Sequence, residues 1–205
     1  MKSTNLLICA VAVGAAFAAV KANGQNLTAT LSGIGPGLAV KGTLDNGTFH
    51  EYPAGVLDYT EFDAFCVEPL EALSYGQVVV YQIQDPLSLA QSATISRLVG
   101  GYLASARTDL DAAAVQWAIW ETTNETLYSS SLLSGNVRIA TPYSQNVATL
   151  GNQYLSNVNT FAPATLTYLT SAGHQDVVTW NVVPEPGSAG LAALSCLLLL
   201  RRRRR

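Results

Sequence analysis

The sequence predicts an α+β fold, with β strands at both ends of the domain and a helical insert in the middle. Three observations carry this. Residues 26–83 are short alternating stretches punctuated by Gly, Pro and Asn-Gly. Residues 86–158 hold apolar side chains at helical spacing. Residues 165–183 return to alternation.

The first strand is expected over residues 26–32, broken by Gly33-Ile34-Gly35-Pro36-Gly37. Residues 38–44 and 48–52 flank Asp45-Asn46-Gly47, a hairpin signal because Asn and Gly tolerate positive φ. A short strand follows over 61–67, placing Phe62, Ala64 and Cys66 on one face and Asp63, Phe65 and Val67 on the other. Residues 77–83, QVVVYQI, make the clearest strand. Pro86 can open a helix carrying Leu89, Ile95, Leu98, Val99, Tyr102 and Leu103, with Gly100-Gly101 as a bend or split. Thr108 or Asp109 is placed to cap a second helix over 110–121. A third is expected over 143–158, and strands over 165–170 and 176–183.

Both ends read as targeting signals. Residues 1–22 combine Lys2, an apolar stretch and Val20-Lys21-Ala22, the pattern of a secretory signal peptide. Residues 184–205 combine Pro184-Glu185-Pro186, an apolar run shorter than the roughly 20 residues of a full span, and Arg201, Arg202, Arg203, Arg204 and Arg205. Terminal arginines hold such a segment on the cytoplasmic side of a membrane. This tripartite end resembles the PEP-CTERM sorting signal of Gram-negative-type bacteria. The resemblance implies an exosortase-type processing enzyme as partner, transient anchoring of the C-terminal helix in the inner membrane, and delivery to the cell surface or an exopolysaccharide matrix.

Residues 23–183 form the remaining domain. Lys41, Arg97, Arg107 and Arg138 are its only Lys or Arg, against thirteen Asp and Glu, a formal balance of −9 where the whole chain has −3. Such a surface has no electrostatic footprint for nucleic acid. Cys9 and Cys196 fall in the terminal segments, so Cys66 stands alone. An unpaired cysteine in an exported chain points to an intermolecular bond, a reactive thiol or some other partner.

The second helix offers one. In Asp111–Glu121, DAAAVQWAIWE, Ala112, Val115 and Ile119 form an apolar stripe, with Ala112, Gln116 and Trp120 in the adjacent row. Gln116 falls at the border of the buried face, where an unpartnered amide costs about 1–3 kcal/mol. By itself it reads as an amide bonded to nearby backbone. Phe65-Cys66-Val67 and Val115-Gln116-Trp117-Ala118-Ile119-Trp120 together resemble the paired motifs of bacterial thioester domains. The order is similar too, with Cys on a strand and Gln on a helix roughly fifty residues later. The resemblance implies a bond between the Cys66 sulfur and the Gln116 carbonyl, formed with loss of ammonia, and Phe65, Val67, Trp117 and Trp120 as a pocket around it. It also implies one-shot covalent attachment to an amine or hydroxyl on a surface protein or polysaccharide, not a turnover enzyme. No wall-sorting tail or tandem stalk domain of the Gram-positive adhesins accompanies it.

Other signals are weaker. Asp58, Glu61, Asp63, Glu68 and Glu71 surround Cys66 without the spacing of a calcium loop, and read as a solvated acidic face. His50 and His174 lack metal-ligand spacing. No catalytic residue, metal or cofactor is assigned. Two other readings stand beside the thioester: a non-covalent structural or carbohydrate-binding matrix protein with a buried free Cys66, and a secreted hydrolase using Cys66 or the acids.

Overall fold

A computed structural model describes residues 26–71, 73–125 and 131–180, without the Leu87 side chain. The expected signal peptide (residues 1–22), the expected sorting signal from Pro184 to Arg205, Cys9 and Cys196 lie outside the described residues. No helix among the described residues is long and apolar enough to cross a membrane.

The fold is α+β: three α-helices and an antiparallel sheet of seven strands, ordered β2-β3-β7-β6-β4-β1-β5. The strands are β1 (Asn26–Thr43), β2 (His50–Tyr59), β3 (Asp63–Cys66), β4 (Val78–Gln84), β5 (Arg138–Ile139), β6 (Thr167–Ser171) and β7 (His174–Thr179). β2 also pairs with β1, so six strands close into a ring with β5 on its flank. Ring closure gives the short strands partners on both sides.

β1 does what the glycines argue against. It runs unbroken through the 33–37 segment, pairing with β4 over residues 26–30 and with β2 from Leu31 to Gly42. Register shifts between Leu31 and Gly33, and between Ile34 and Gly37, absorb the irregularity. Gly and Pro here mark bulges that bend one long strand between two neighbours, not its end. β2 is longer than the expected 48–52 for the same reason: a long partner gives it a ladder. β5 was not expected, being two residues paired only with Gly42 and Thr43.

The helices are α1 (Ser92–Ala104), α2 (Asp109–Asn124) and α3 (Gln145–Asn157). Pro86 opens only a 3₁₀ turn, Pro86–Ser88, ahead of α1. Gly100 and Gly101 do not split α1. A methyl at Gly100 would collide with the Ala162 carbonyl, and one at Gly101 with the Phe161 ring. They are small because chain crosses closely there.

α2 is capped as the sequence suggests. The Thr108 Oγ1 accepts from Asp111 N–H at 3.2 Å, and Asp111 Oδ2 accepts from Thr108 N–H at 3.0 Å, a reciprocal capping box. Its surroundings differ from expectation. Every residue from Ala112 to Thr122 is buried. α2 touches β1, β2 and β3 as well as α1 and α3. An Ala-rich helix with apolar side chains all round is a central helix, not a two-faced one. Gln116 therefore lies deep in the core, 1% exposed, instead of at its border.

Candidate functional site

Cys66 ends β3. β7 pairs with β3 through Cys66, opposite Val177. β2 pairs with β3 only at Asp63 and Ala64. One edge of β3 thus has no strand partner at Cys66, and Gln116 takes that place. Cys66 N–H donates to Gln116 Oε1 at 3.0 Å, and Gln116 Nε2 donates to the Cys66 carbonyl at 2.8 Å. The side-chain amide acts as the peptide group of a missing neighbour strand. Its orientation follows from its partners, since the N–H can only donate and the carbonyl can only accept. Both residues are about as buried as residues become, each at 1% exposure.

Four further residues were expected around this pair, and the structure distributes them. Trp120 is one helical turn from Gln116 and stands beside the thiol: its indole favours the Cys66 thiolate, though Nε1 is buried without a hydrogen bond of ordinary geometry. Trp117 turns to Tyr52 and Trp120, with ring centroids 6.0 and 5.4 Å away. Phe65 packs on Tyr102 and Trp180, at 5.1 and 5.2 Å. Val67 is buried, and its N–H donates to the Asp176 carbonyl at 2.9 Å. Both faces of β3 beyond Asp63 are buried, so Phe65 and Val67 are core rather than an outer face.

Burial pushes the Cys66 thiol up to about 12. The Trp120 indole and the Glu68 backbone pull it down, and the Glu68 and Asp176 charges push it up again. The thiol is therefore protonated at neutral pH, and inert as a free nucleophile toward solvent reagents. Within electrostatic reach of it, the Tyr59 and Tyr81 hydroxyls share a buried hydrogen bond of 2.6 Å. Burial raises Tyr59 to about 12, and Tyr81 is raised by burial and by Tyr59. Nothing in the sequence singled out these tyrosines; they sit at ordinary inward positions of β2 and β4.

The acids near Cys66 divide. Asp58, Glu61 and Glu68 are exposed; Asp63 and Glu71 are half-buried. Glu68 and Glu71 meet Asp176 and His174 in an open cleft of about 680 Å³. Burial, Asp176 and Glu71 raise Glu68 above the usual carboxylate range. Among the described residues no three His, Cys, Asp or Glu stand close enough to hold a metal ion. His50 is exposed and edges Tyr52, with ring centroids 6.3 Å apart. His174 Nδ1 lies 3.4 Å from Ser171 Oγ.

One acid lies outside every expectation. Glu121 is 3% exposed, and among the described residues neither of its carboxyl oxygens has a hydrogen-bond partner of ordinary geometry. Burial first, then the Glu125 charge, pushes it up to about 8, against a small opposing pull from the Ser131 backbone.

Compared with models of known protein families, with curated proteins and with solved structures, the chain matches none.

Proposed function

We propose that the chain is an exported surface or matrix protein that joins Cys66 to Gln116 as an internal thioester and spends it once, on an amine or hydroxyl of a partner molecule. The observation that carries this reading is the seating of the Gln116 amide on the backbone of the residue that bears the thiol. Two hydrogen bonds, 3.0 and 2.8 Å, fix it there inside a closed core. An oriented intramolecular pair can remove about 7–11 kcal/mol of barrier, which a poor electrophile such as a primary amide requires. The exported setting rests on the patterns of residues 1–22 and 184–205.

The step balances without redox chemistry. Cys66 Sγ adds to Gln116 Cδ, and negative charge gathers on Oε1. The Cys66 N–H already donates to that oxygen, as an oxyanion donor must. The C–N bond breaks and Nε2 leaves as ammonia, taking the thiol proton. A thiol raised to about 12 keeps that proton until the nitrogen needs it. In use, a partner amine or hydroxyl forms a bond to the same carbonyl carbon. The C–S bond breaks, and the proton of the attacking group returns to sulfur.

The same two hydrogen bonds also satisfy Gln116 as a plain core amide. With Cys66 left free that is the non-covalent reading, and one measurement separates the two. The intact mass of the purified chain is expected to be lighter than its sequence by one ammonia. Methylamine should add to it, and both Cys66→Ala and Gln116→Ala should abolish the deficit. A wild-type mass equal to the sequence, with Cys66 titrating as one free thiol after unfolding, would leave the non-covalent protein.

A further inference from the structure

Where β1 pairs with β5, the chain gathers two of the four Lys and Arg of the described residues, on a domain of formal charge −9. Lys41 of β1 and Arg138 of β5 line an open cavity of about 530 Å³ with Phe49, Tyr143, Thr48 and Thr141. Lys41 Nζ lies 4.7 Å from the centre of the Tyr143 ring, and Arg138 Cζ lies 5.6 Å from that of Phe49. Tyr143 is 77% exposed and Phe49 37%. Among the described residues no carboxylate lines the cavity. The nearest in sequence are Asp45, which accepts from Thr43 Oγ1 and Gly47 N–H, and Glu51, opposite Lys41 in the β1–β2 register.

Arg138 is only partly engaged. One Nη donates to Asn46 Oδ1 at 2.6 Å, and Nε is buried out of a ligand's reach, so a ligand would meet the guanidinium along its Nη edge. A guanidinium carries five N–H donors in a planar fork, and its matching partner is a planar oxyanion held by two bonds. The rings give the rest of the ligand its shape. An exposed aromatic face is electron-rich, and attracts the electropositive C–H face of a saturated ring. Hydroxyls at Thr48 and Thr141 suit a ligand rich in hydroxyls.

We propose that this cavity binds a carboxylate-bearing sugar unit of a polysaccharide. Arg138 and Lys41 hold the carboxylate, and Tyr143 and Phe49 hold the pyranose face. Nucleic acid suits the site less well, because two cations on a domain of net charge −9 cannot follow a phosphate backbone. The proposal needs no thioester, so failure of either reading leaves the other standing.

The test is titration of a galacturonic acid trimer into the purified, isotope-labelled chain, followed by amide shifts. The neutral galactose trimer and sodium phosphate serve as parallel arms. The acidic trimer should shift the amides of residues 41, 48–49, 138–141 and 143, and bind less well as salt rises. Arg138→Gln should weaken it about tenfold or more, as expected for a charged hydrogen bond. Arg138 also braces Asn46, so Tyr143→Ala is the second variant; a side chain this exposed can be removed without unfolding the chain. It should weaken binding several-fold. Equal binding of the neutral trimer, phosphate binding as tight as the acidic trimer's, shifts elsewhere, or no shifts would each overturn the proposal.

Discussion

Glu121 is the residue whose chemistry was least visible beforehand. It looks like the polar end of an amphipathic helix, and only tertiary burial makes it a cost. A carboxyl raised from its ordinary value of 4.5 to about 8 favours the protonated form in the fold. Above pH 4.5 the unfolded chain releases this proton while the folded chain keeps it, so stability falls as pH rises toward 8. Glu121→Gln is expected to flatten that slope. By thermal or urea unfolding it should gain on the order of 1–2 kcal/mol at pH 8 and almost nothing at pH 4. Equal gains at both pH values would show that charge is not what Glu121 costs. Cys66 and Gln116 were legible as a pair through the motifs around them. That Gln116 stands in for a strand was not, because it depends on β2 leaving β3 after Ala64.

At the scale of elements, local chemistry was readable and long-range pairing was not. The Thr108 cap, the three helices and the Asn46-Gly47 turn follow from neighbours in sequence. The continuity of β1 does not, since bulge glycines and terminating glycines look alike before partners are known. β5 is too short to leave a pattern at all. Gly42 shows how elements lock together: a methyl there would collide with the Trp117 ring and the Arg138 carbonyl. Gly42→Ala should therefore destabilise the fold by roughly 1–3 kcal/mol, the usual range for overpacking. It should also disturb α2 one residue from Gln116. The expected result is a lower unfolding midpoint and, if the ammonia deficit is present in the wild type, a smaller fraction of molecules carrying it. An unchanged midpoint would mean that Trp117 has room the geometry denies it.

For the whole molecule, the proposed bond would be a cross-link. It would tie β3 to α2 across 50 positions of sequence. Closing a loop of that size in the unfolded chain corresponds to about 4 kcal/mol in the chain-entropy account of disulfides. Opening the bond with methylamine is expected to lower the unfolding midpoint by a corresponding amount, with little change in circular dichroism before unfolding. A Cys66→Ala chain given the same treatment should not move. If wild type and variant respond alike, methylamine acts on something other than this bond.

The depth of Cys66 and Gln116 also governs time. At 1% exposure each, neither meets a reagent while the core is shut. Any molecule that reacts there must wait for β3 and α2 to part, however concentrated it is. If the proposed bond forms, opening frequency, and not affinity for a small reagent, would set how long a newly made chain stays unspent.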